Sequence, residues 1–120
     1  MSDQQVHERL TDAAKEQPRS ITTENSKNVL ETLRGKIPIN IYSMLEDRVK
    51  IGVVRYGVGL QTFNGREALL DCLQEACDGI MYAQQDYLEG KHPSMGSHLV
   101  NRFVDLVLLI QRTRAGEWSR

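Results

Sequence analysis

Two cysteines, three prolines and an aromatic content of 6% deprive this 120-residue chain of several devices that small proteins use. Cys72 and Cys77 sit in one continuous helical pattern and point to different faces, so they are not expected to pair. That excludes a disulfide scaffold and fits a reduced, cytoplasmic protein. The two thiols cannot make a zinc site alone, and none of the three histidines is placed to help. Charge of one sign is lacking too: 15 Lys and Arg against 16 Asp and Glu leave a net charge of −1. Broad binding to a nucleic acid polymer needs an excess of positive charge and is not expected. No apolar run approaches the roughly 20 residues of a membrane span; the longest, Val104 to Ile110, is interrupted by Asp105. The opening stretch MSDQQVHERL has no apolar signal-peptide core, which again points to the cytoplasm. Sustained strand alternation is missing everywhere, so the expected fold class is all-α.

What the chain does have is helical periodicity, strongest over Asn64 to Glu89, NGREALLDCLQEACDGIMYAQQDYLE. Asn64 reads as an N-cap and Glu67, three residues on, as its capping-box partner. At about 100° per residue, Leu69, Leu70, Leu73, Cys77, Ile80, Met81, Tyr87 and Leu88 share an apolar face. Ala68, Cys72, Ala76, Gly79 and Ala83 form a strip of small residues against which another helix can lie closely. Glu67, Asp71, Glu75 and Asp78 make an acidic ridge. Four like charges on one face repel by a few tenths of a kcal/mol per neighbouring pair. The ridge is either a solvated surface or a cation site. Glu75 and Asp78, three apart, send both carboxylates to one side, and hard cations such as magnesium take carboxylate oxygens.

Around this segment the other elements fall into place. Residues 1 to about 20 are polar, with a weak helical pattern at Val6 and Leu10 ended by Pro18. Thr23 offers a cap for a short accessory helix near 24–34 that Gly35 stops. A helix is expected over 41–56, with Ile41, Met44, Leu45, Val49 and Val53 as its apolar face and Gly57 as its stop. Gly52 inside it either weakens the helix or marks a close crossing. The linker GVGLQTFN follows, with Leu60 and Phe63 expected to plug into the fold. Arg55 and Tyr56 precede it, and a cation, a flat ring and a glycine turn can hold a nucleotide's phosphate and base; ordinary packing is the alternative. The last helix, about 97–114 with Ser97 as cap, is the most apolar and is expected to be largely buried. Asp105, amid aliphatic residues, is expected to pair with Arg102 or Arg112. Both faces of the central helix call for more helices than one short chain supplies, so a homo-oligomer is expected.

The stretch from Arg55-Tyr56-Gly57 through Leu60 to Glu75-x-x-Asp78 and Tyr82 resembles the small phage-type proteins related to MazG-like all-α nucleotide pyrophosphohydrolases. The resemblance spans about residues 41–112. It implies a polar extension over 1–40, a MazG-like helical domain over 41–115 and a tail over 116–120. It further implies a helical bundle completed by oligomerisation (a dimer, tetramer or larger assembly) and magnesium-dependent cleavage of a nucleoside triphosphate with release of pyrophosphate. Glu75, Asp78 and Asp71 are the implied catalytic acids, and the same three with Glu46 the implied magnesium ligands. Arg55, Tyr56, Lys91, Asn101, Arg102 and Asp105 are the implied nucleotide contacts. The family's first acidic motif, adjacent glutamates with a third one turn on, is missing here; only Glu46 and Asp47 stand in its place. The alternative function is therefore a phage protein in the host cytoplasm that binds a nucleotide-derived defence signal and sequesters it uncut. Neither function calls for a membrane.

Overall fold

A computed structural model describes residues 26–57 and 59–116, with the side chains of Arg55 and Tyr56 outside the described set. Within it the protein is all-α: α1 (Val29–Thr32), α2 (Ile39–Tyr56), α3 (Ala68–Leu88) and α4 (Gly96–Arg114), with no strand among the described residues. The helix expected in the first twenty residues and the Thr23 cap lie outside the described residues. No described helix is long and apolar enough to cross a membrane. The chain divides into two compact units, one over 17–66 and one that includes 67–120.

In the unit over 17–66, the accessory helix is a single turn capped by Asn28, whose side chain accepts from the Glu31 amide at 3.2 Å. It is shorter than expected because Lys27 to Val29 are drawn into extended pairing with the linker. The Val29 amide donates to the Leu60 carbonyl at 3.0 Å, and the Thr62 amide to the Lys27 carbonyl at 2.9 Å. This tether fixes the linker, yet Leu60 and Phe63 do not plug anything: both are exposed. Phe63 also takes a φ of 56°, a left-handed conformation that bulky side chains rarely adopt. α2 runs as expected to Gly57, whose φ of 85° supplies the left-handed stop. Tyr42 is the buried residue of α2, with the Arg34 guanidinium 5.4 Å from its ring centre.

The other unit is an antiparallel pair, α3 against α4. Its core is Leu73, Ala76 and Ile110, flanked by Leu69, Cys77 and Val107. The small-residue strip is used within the chain: Ala76 and Ala83 are buried, and a Cβ added at Gly79 would stand 2.5 Å from the Phe103 ring. At the turn end, a Cβ on buried Gly96 would stand 2.5 Å from the Tyr87 Cβ and 3.0 Å from its Cα. Glycine at these two points lets the helices meet.

Three expectations fail in this unit. α3 begins at Ala68 instead of following Asn64, because Gly65 at φ 81° turns the chain to the left. The Asn64 side chain then reaches only the Arg66 amide, at 3.0 Å, a local turn and not a helix cap. Glu67, freed from the capping box, bonds Arg114 Nε at 2.7 Å and ties the start of α3 to the end of α4. Met95, not Ser97, occupies the cap position of α4, without a side-chain bond. Finally, α4 is not largely buried. Only Gly96 and Ile110 are, since one neighbouring helix covers one side.

Candidate functional site

The acidic ridge forms as the helical spacing requires, since α3 is continuous from Ala68 to Leu88. Glu75 and Asp78 are exposed one turn apart, and neither makes an ion pair among the described residues. Asp71 is half-buried and has an interaction partner, while Glu67 is held by Arg114. Glu46 is half-buried on α2, in the other unit. Among the described residues, no three His, Cys, Asp or Glu side chains gather into a metal-binding group. Glu75 and Asp78 therefore fit the way magnesium is commonly held, through one or two carboxylates with waters and substrate phosphates in the remaining positions. Among the described residues they do not make a multi-metal cage.

The implied nucleotide contacts are scattered. Lys91 is exposed beyond the end of α3, 3.5 Å from Glu89. Asn101, Arg102 and Asp105 are exposed on α4. Asp105 makes no ion pair with Arg102 or Arg112 among the described residues; hydration in the open replaces the expected bridge. At about 100° per residue, Asn101 and Asp105 lie far round α4 from the Phe103 and Val107 side that meets α3. They are on its outward side. The Arg55 and Tyr56 side chains lie outside the described residues.

One residue joins the ridge that its carboxylates alone do not announce. Tyr82 is 70% exposed and falls angularly between Glu75 and Asp78 on the same face of α3. The signal was the spacing, four residues after Asp78 and seven after Glu75. A flat ring one turn beyond a carboxylate pair gives the ridge a stacking surface beside its charges.

Both cysteines are free, as their spacing required. Burial pushes the Cys77 thiol up from its ordinary value, and the charge of Asp78 adds to the rise. Cys72 is exposed. Since the thiolate is the reactive form and Cys77 is also half-buried, alkylation near neutral pH should modify Cys72 faster than Cys77. Peptide mapping after timed labelling checks this, and Asp78→Asn should speed Cys77 while leaving Cys72 unchanged. Comparisons of the chain with known protein families, curated proteins and solved structures find no match.

Proposed function

We propose that the protein is a nucleotide-binding helical oligomer of MazG-like type, acting as a magnesium-dependent nucleoside triphosphate pyrophosphohydrolase. The observation that carries this reading is the exposed pair Glu75 and Asp78, one turn apart and without an ion pair among the described residues. Carboxylates left open to solvent are available to a cation and through it to phosphates. A bound magnesium ion would offset phosphate charge and make an attacking water more acidic. Tyr82 would stack on the base, and a cationic side chain such as Lys91 would steady the phosphates. Further acids would complete the site in the assembled oligomer.

Oligomerisation is supported by the apolar surface one chain leaves open. Val54 on α2 is 90% exposed, and Met81 and Leu88 on α3 are 72% and 73% exposed. A soluble chain of this size rarely shows so much unless another surface covers it.

The second reading, binding without cleavage, is favoured by a specific observation. Among the described residues of one copy, Glu75 and Asp78 are not part of a group of three side chains that could hold a metal ion. A pocket that captures a nucleotide-derived signal needs fewer carboxylates than one that cuts it. Incubation with a panel of nucleotides and magnesium, followed by heat release and chromatography, separates the readings. Pyrophosphate in catalytic amounts is the expected result for the enzyme; stoichiometric recovery of intact ligand marks the sequestering protein. If no nucleotide binds at all, both readings fail.

A further inference from the structure

α4 carries a row of apolar residues that α3 does not cover. Leu99, Leu106 and Leu109 are 43%, 39% and 49% exposed. At about 100° per residue they fall on one flank of the helix, away from the Phe103 and Val107 side packed on α3. Arg102 completes the row. The positions 99, 102, 106 and 109 alternate steps of three and four, the repeat by which one helix packs along another. Asp105 borders it. Arg102 and Asp105 are both exposed, and neither makes an ion pair among the described residues.

We propose that this row is a contact between two copies of the chain, α4 against α4, running antiparallel about a two-fold axis. The row itself sets the register, because an isologous contact pairs residue i with j and j with i. Setting Leu99 opposite the partner subunit's Leu109 also sets Leu106 opposite the partner's Arg102. In that register Arg102 comes within one residue of the partner's Asp105. Each charge without a mate in its own chain gains one from the other copy, twice by symmetry. A parallel pairing in register would instead place Arg102 on Arg102, which repel. With 19 residues, α4 is about 28 Å long, so the contact is a small one and micromolar association is expected. The proposal rests on the oligomeric part of the function above and not on the nucleotide.

Analytical ultracentrifugation of the full chain across a concentration series tests it with Arg102→Asp, Asp105→Arg and the double exchange. Both sites are exposed, so folding should be retained, which circular dichroism checks. Each single reversal is expected to weaken association about tenfold or more, and the double exchange to return it to within about threefold of wild type. Leu106→Glu should leave this contact unformed. The proposal is overturned if the single reversals leave association unchanged, or if the double exchange stays as weak as the singles. It is also overturned if wild type is monomeric throughout, a result that removes the oligomeric reading with it. Association indifferent to all three charge variants removes only this interface.

Discussion

Alanine at Gly79 is expected to lower stability by about 1–2 kcal/mol, while alanine at Gly52 raises it by about 0.5–1 kcal/mol. Both glycines lie inside helices, where alanine is intrinsically favoured by up to about 1 kcal/mol. Space decides the sign. At Gly52 a Cβ meets no atom within 4 Å, so only the propensity gain remains. At Gly79 it would stand 2.5–2.8 Å from three atoms of the Phe103 ring. Phe103 is itself half-buried between the helices, so the ring must leave its place or α3 and α4 must separate. Overpacking of this kind typically costs about 1–3 kcal/mol, more than the propensity it offsets. Thermal melts of the two variants check the opposite signs. A stabilised Gly79→Ala would show that the helices do not cross at that point.

The same glycines show what the sequence made legible. Small residues at 76, 79 and 83 announced a close helix, but not which one; the neighbour proved to be the next helix in the chain. The bounds of α2 and α4 came through because apolar periodicity and a stop at Gly57 are local signals. The start of α3 did not. Asn64 and Glu67 have the spacing of a capping box, and nothing local says that Gly65 will take a positive φ and spend Asn64 on a turn. Pairing of residues 27–29 with 60–62 was illegible for another reason: it joins segments far apart, neither with strand alternation. The burial expected of α4 failed because composition measures how apolar a helix is, whereas burial depends on how many neighbours it has. At the candidate site, the spacing delivered the exposed pair Glu75 and Asp78. Whatever else lines a pocket depends on tertiary or quaternary approach, which no local pattern carries.

If the proposed enzyme reading holds, neutralising the pair, by Glu75→Gln or Asp78→Asn, is expected to reduce magnesium-dependent pyrophosphate release about a hundredfold or more, because each variant would remove a charged ligand from a site with few. Stability should move the other way. Glu75 lies one turn from both Asp71 and Asp78, and relief of like-charge repulsion is worth a few tenths of a kcal/mol per pair. A gain of up to about 1 kcal/mol is therefore expected for Glu75→Gln. Neither carboxylate has an ion pair among the described residues to lose, and both are exposed, so no structural debt offsets that gain. Opposite movement of activity and stability is the mark of residues kept for function. In the sequestering alternative, the same variants leave ligand recovery intact and affinity nearly unchanged, while Tyr82→Ala weakens binding by the loss of a stacked ring, about 1–3 kcal/mol. Pyrophosphate release and chemical denaturation measured on the same preparations decide between these outcomes. Activity that survives neutralisation of both acids would show that the ridge is a solvated face and that any site lies elsewhere.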